Sequence, residues 1–178
     1  MALTRWTLLL RGVNVGGRGR LPMAELRAAL EAVGAQAPRT LIQSGNAVFD
    51  HEAGAAGPLG ARISAALKAR VGFAPVALAL EVAALAAILD DLPAGWAPGD
   101  SHVWVTARPP DAANLARLAA LAAPDEAWRL AGRALFVHAP SGIGRSKLAA
   151  GAEAALGAPA TARKASVLGR LLALAGGD

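Results

Sequence analysis

A chain of 178 residues, 54% of them hydrophobic, can fill one core or two small ones, which excludes global disorder. Eighteen Lys and Arg against 13 Asp and Glu leave a formal charge of +5, a weak bias toward anionic partners. The absence of cysteine excludes disulfides, thiolate catalysis and Cys-ligated metals; His51, His102 and His138 show no metal-ligand spacing, so neither a metal nor a cofactor is expected.

In chain order, an apolar strand at 5–11 runs into the loop Gly12-Val13-Asn14-Val15-Gly16-Gly17-Arg18-Gly19-Arg20, and Pro22 opens a helix that Gly34 stops. Alternation puts Trp6, Leu8 and Leu10 on the core face of that strand. A hairpin follows, with strands at 39–43 and 47–50 joined through Ser44-Gly45-Asn46. Val71 to Leu89 imitates a membrane span, but Pro75, the many alanines and Glu81 predict a helix end, a buried strand at 75–80 and a helix from Val82 to Asp90-Asp91. Arg5 and Arg11 interrupt the first apolar run and no small-residue cleavage site follows, so a cytoplasmic protein without a secretory signal or membrane partner is expected.

The second half repeats the order. A strand at 101–107 precedes Pro109-Pro110-Asp111, whose aspartate is placed to cap a helix running to Leu121. Hairpin strands at 126–130 and 134–138 turn at Ala131-Gly132-Arg133, and alternation suggests a His/aromatic patch from His102, Trp104, Phe136 and His138 on the two central strands. A second glycine loop, Pro140-Ser141-Gly142-Ile143-Gly144, then leads to a helix from Ser146 to Leu156, an extended piece at 160–162 and a last helix at 164–174. Both halves read β-α-β-β-α-β-α. The predicted architecture is therefore α+β, with two tandem split-βαβ (ferredoxin-like) subdomains at 1–91 and 100–178, each with an added helix. A Pro/Gly-rich linker covers 92–99, and the two thin cores are expected to pack together.

The first loop fits neither G-x-G-x-x-G nor G-x-x-x-x-G-K-[ST], which leaves a backbone nest ringed by Arg11, Arg18 and Arg20 as its functional reading. Asn14 would add a directional hydrogen bond, and Gly16 and Gly17 a close backbone approach. The second loop follows a strand, opens a helix and matches a loose Walker A with Ala139 first and Arg145 where Lys belongs. Arginine is a planar fork and cannot wrap a β/γ-phosphate as an ammonium does, so an anion-binding helix start made of Gly142, Gly144, Arg145, Ser146 and Lys147 is the better reading. Ser44 lacks a nucleophile elbow and a partner base and reads as a turn former; with Asn46 it could line a ligand site.

These stretches carry a resemblance. Leu9-Leu10-Arg11-Gly12-Val13-Asn14-Val15-Gly16-Gly17 with Met23 and Leu26, then Ile42-Gln43-Ser44-Gly45-Asn46-Ala47-Val48-Phe49, then Gly142-Ile143-Gly144-Arg145-Ser146-Lys147-Leu148 resemble the bacterial domain-of-unknown-function family 1697. A terminal Thr-x-Arg-Asn-Trp pattern of that family is met here by Thr161 and Arg163 but not by Lys164 or Ala165. The resemblance implies no activity.

The residues therefore predict a protein that binds an anionic ligand, a nucleotide or phosphorylated metabolite, in a cleft near the two loops. One alternative is nucleic-acid binding through the same arginines with Arg145, Lys147, Arg163 and Lys164 on phosphates. Another is a non-catalytic interaction or regulatory module whose exposed sheet edges pair between subunits. The protein itself is expected to be a monomer or a homodimer. No general base is evident; if there is a reaction, phosphoryl or nucleotidyl transfer is the class that suits such loops.

Overall fold

The alternation of period-2 and period-3.6 segments becomes two four-stranded antiparallel sheets in the computed structural model, which describes residues 2–52 and 54–177. The first run is β1 (Thr4–Arg11), α1 (Met23–Ala32), β2 (Gln36–Leu41), β3 (Asn46–His51), α2 (Ala56–Val71), β4 (Val76–Glu81) and α3 (Val82–Asp90). The second is β5 (Ser101–Thr106), α4 (Leu115–Leu121), β6 (Ala127–Ala131), β7 (Ala134–His138), α5 (Lys147–Leu156), β8 (Ala160–Lys164) and α6 (Ala165–Gly176). Strand orders β2-β3-β1-β4 and β6-β7-β5-β8 are the same arrangement twice. In each, the third strand of a βαββαβ run lies beside the first and the fourth lies on the first strand's other side, so these are two tandem ferredoxin-like subdomains.

The chain divides into two compact units, one running to Ala86 and resuming at Arg170, the other spanning Ala87–Gly169. In the first unit, Trp6 lies opposite Phe49, and Leu8 opposite Ala47. These pairs, with Leu10 and Ala79, form the sheet side of a core whose helical side is Leu26 and Leu30 of α1 and Leu59, Ile63 and Leu67 of α2. Alternation along β1 thus placed Trp6, Leu8 and Leu10 correctly. An ion pair of 2.8 Å from Arg70 to Glu25 ties the end of α2 to the first turn of α1.

The chain's last residues also belong to the first unit. Arg5 reaches Asp50 with Nε at 2.9 Å and Nη2 at 3.2 Å from its two carboxylate oxygens, and its Nη1 donates to the Ala175 carbonyl at 2.7 Å. Arg39 Nη1 donates to the Gly177 carbonyl at 2.7 Å. Two cations therefore sit on carbonyls at the end of α6, where a helix leaves them unpaired and its dipole is negative. The Arg5 hydrogen bond holds the Asp50 carboxyl below its usual value.

In the second unit, Trp104, Leu135 and Val137 pack beneath Leu118 of α4 and Leu148, Ala152 and Leu156 of α5. The register across β5 and β7 pairs Trp104 with Leu135 and Val103 with Phe136. Directly opposed residues share a face, so Trp104 and Phe136 lie on opposite faces; His102 and Trp104 do meet, ring centroids 6.4 Å apart, but the four residues expected from the sequence do not form one patch. His138 instead stacks with Trp96, ring centroids 5.3 Å apart, and its Nδ1 lies 3.2 Å from Ser101 Oγ. Asp111 does not cap α4: it pairs with Arg108, while the Asn114 side chain accepts from the Arg117 N–H at 2.9 Å and starts the helix three residues later. The apolar stretch from Val71 to Leu89 is cut by Gly72, β4 and a fresh helix, and no helix among the described residues is long and apolar enough to cross a membrane.

Candidate functional site

The first loop closes largely on itself. Val15 and Arg18 exchange backbone hydrogen bonds of 3.3 and 3.0 Å around Gly16 and Gly17, both at positive φ (57° and 75°), which is the two-residue type I′ arrangement of a tight hairpin. The Asn14 N–H donates to the Gly19 carbonyl at 2.9 Å. Several donors of the expected nest are thus committed within the loop, because consecutive glycines here build a reversing turn instead of an open ring of N–H groups. Space around Gly16 and Gly17 is open.

Asn14 is the strut of this loop. Its Oδ1 accepts from the Leu21 N–H at 2.9 Å, and its Nδ2 donates to the Leu21 carbonyl at 2.9 Å and the Gln43 carbonyl at 2.6 Å. Both amide hydrogens are engaged, so Asn14 shapes the loop and joins it to the β2–β3 hairpin; it has no hydrogen left to offer a ligand. The hairpin is fitted just as closely. A Cβ on Gly45 would lie 2.7 Å from Leu10 Cβ and 2.8 Å from Val13 Cγ2, and the Gly45 carbonyl accepts from the Leu10 N–H at 2.9 Å. Asn46 is fully buried, its amide donating to Ser44 Oγ at 2.7 Å and the Leu41 carbonyl at 3.2 Å. Ser44 and Asn46 therefore serve the turn. Ile42, a β-branched residue, is held at φ 50°, a conformation that costs on the order of 1–3 kcal/mol. Arg11, Arg18 and Arg20 are exposed around this end of the sheet.

The second loop borders a cavity of about 770 Å³, within the range of small-molecule sites. Gly142, Gly144, Arg145, Ser146 and Lys147 all line it. Gly142, at φ 92°, lets the chain leave β7 through a single 3-10 turn over Ile143–Arg145. Ser146 then caps α5, its Oγ accepting from the Ala149 N–H at 2.9 Å. This brings the positive end of a ten-residue helix to the cavity together with two exposed cations. The strand before the loop, β7, lies between two antiparallel neighbours, so the setting is not the parallel βαβ unit of a Walker site.

Two carboxylates complete the lining, and sequence reasoning missed both. Asp125 accepts a 2.5 Å hydrogen bond from Ser141 Oγ, and Glu126 accepts from the Ala123 N–H at 2.9 Å. Their signal was the adjacent acidic pair after Pro124, where the chain enters β6; nothing local connected it with a loop fifteen residues on. Neither Arg145 nor Lys147 forms an ion pair with either carboxylate. Of the further cations named for nucleic-acid binding, Arg163 turns partly inward: its Nη1 donates to the Ala162 carbonyl at 2.9 Å, and burial pushes its guanidinium down to about 10, still charged at neutral pH. Burial, and then the charge of the exposed Lys164 opposite it, keep the His102 imidazole below its ordinary value of 6.5.

Fold and cavity together define an α+β protein of two tandem ferredoxin-like subdomains, the second holding a cavity lined by charges of both signs. The family described as "Protein of unknown function (DUF1697)" matches residues 3–136, and the chain belongs to that family. The match ends before the second loop. No curated protein matches. Among solved structures, the conserved bacterial protein SP0830 from Streptococcus pneumoniae is similar over 98% of this chain and 99% of its own, at 23% identity and a TM-score of 0.69; that likeness shows the fold.

Proposed function

We propose that this protein binds a small anionic ligand, a nucleotide or phosphorylated metabolite, in the cavity at the start of α5. The observation that carries the reading is the convergence of Arg145, Lys147 and the α5 N-terminus on one cavity of about 770 Å³. Backbone N–H groups at a helix start and two cations that form no ion pair among the described residues favour a phosphate or carboxylate there. Asp125 and Glu126 in the same lining oppose a polyanion, which favours a small molecule over a nucleic-acid backbone.

Titration calorimetry with inorganic phosphate and adenosine monophosphate tests this. One-to-one saturation with a shallow salt dependence, lost in the Arg145→Ala/Lys147→Ala double variant, is the expected result. Unchanged binding in that variant overturns it. Affinity for oligonucleotides that falls steeply and linearly in log salt would favour the nucleic-acid reading instead.

A further inference from the structure

The cavity of the second unit contains an electrostatic arrangement that an anion site alone does not require. Two cations, Arg145 and Lys147, share its lining with two carboxylates, Asp125 and Glu126, and no ion pair among the described residues joins the two sets. The carboxylates come from the chain just before β6, the cations from the 3-10 turn and the first residue of α5. Opposite charges in one lining can neutralise each other directly where they come within about 4 Å, and none of these four does so. Here each carboxylate is instead held by an uncharged donor of the protein, Asp125 by the Ser141 hydroxyl and Glu126 by the Ala123 N–H. Each uses one oxygen for that contact, through Oδ2 and Oε2 respectively, which leaves its other oxygen for a ligand.

A phosphate bound beside Arg145 and Lys147 meets unfavourable potential from those carboxylates unless the ligand also brings positive charge to them. A hydroxyl would supply a hydrogen bond but would not relieve the repulsion; an ammonium does both. From this placement we infer that the ligand is zwitterionic: a phosphomonoester that also carries a primary amine, with the phosphate at the start of α5 and the ammonium between Asp125 and Glu126. The inference rests on the reading of the cavity as an anion site and names the ligand class of that same site.

Four probes separate the two claims: inorganic phosphate, ethyl phosphate, glycerol 1-phosphate and O-phosphoethanolamine, each titrated into the full chain at fixed ionic strength. Phosphoethanolamine is expected to bind at least about fivefold more tightly than ethyl phosphate, its counterpart of similar size without the ammonium. Asp125→Asn/Glu126→Gln should abolish that preference while leaving ethyl phosphate binding equal or stronger, because repulsion is removed. Equal affinities for phosphoethanolamine and ethyl phosphate, tightest binding of glycerol 1-phosphate, or a preference that survives the double substitution would each overturn the zwitterion inference while leaving the anion site standing. If none of the four binds but adenosine monophosphate does, this inference falls and the anion site stands; if adenosine monophosphate also fails to bind, the anion reading itself falls, and this inference with it. The comparison among probes on the unaltered protein decides the matter even where the double variant is destabilised.

Discussion

The side-chain amide of Asn14 donates to the backbone carbonyl of Gln43 across 2.6 Å, joining the glycine loop after β1 to the tip of the β2–β3 hairpin. With its two further bonds to Leu21, this one side chain holds two separated pieces of backbone while itself sitting at φ 53°. Asparagine is one of the few residues that tolerate that conformation and can bond locally from it. Asn14→Ala removes all three bonds and adds backbone strain, so it should lower unfolding free energy by about 2–4 kcal/mol in urea titrations. Asn14→Gly relieves the strain but not the lost bonds and should fall between the two.

Gly45 and Gly16 both sit at positive φ, 74° and 57°, yet their surroundings differ. At Gly16 a Cβ meets open space, whereas at Gly45 it meets Leu10 and Val13 inside 3 Å. Gly16→Ala should therefore cost only the backbone term, about 1 kcal/mol, and Gly45→Ala about 2–4 kcal/mol, since both a clash and strain are added. Thermal unfolding of the two variants side by side measures the steric part directly; equal losses would mean that the hairpin tip yields.

His102 supplies a pH test. Burial, and then the Lys164 charge on the neighbouring strand, keep its imidazole below the ordinary value of 6.5. A folded-state value below the unfolded one means that the unfolded chain binds the extra proton first. The contribution to stability is then present above about pH 6.5 and is lost as pH falls through the folded value. His102→Gln should flatten that part of the stability–pH profile. NMR titration of the ring in the folded protein should give a midpoint below 6.5, and a midpoint above it would contradict the assignment.

The parts of the fold that one segment decides were legible in the sequence. The alternation of Trp6, Leu8 and Leu10 identified the core face of β1, and the repeated element order gave both sheets, because each depends on local periodicity. What depended on pairing was not legible. Trp104 and Phe136 look like neighbours on a patch until the β5–β7 register places them on opposite faces. The same holds for the sites. Gly142 to Lys147 could be recognised as a glycine loop that opens a helix, but Asp125 and Glu126 share a cavity lining with it only because β6 and β7 form a hairpin that returns the chain beside it. Gly16 and Gly17 were legible as a special conformation without revealing that the conformation is a closed turn.

The grip of Arg5 and Arg39 on the Ala175 and Gly177 carbonyls has a consequence for synthesis on the ribosome. Ala87–Gly169 can be assembled as soon as those residues have emerged, but the unit begun at the N-terminus takes its last piece from the chain beyond Gly169. The order of completion is thus reversed relative to the order of translation, and the nascent first unit stands with Arg5 and Arg39 lacking these two acceptors until the segment that carries Ala175 and Gly177 has been made.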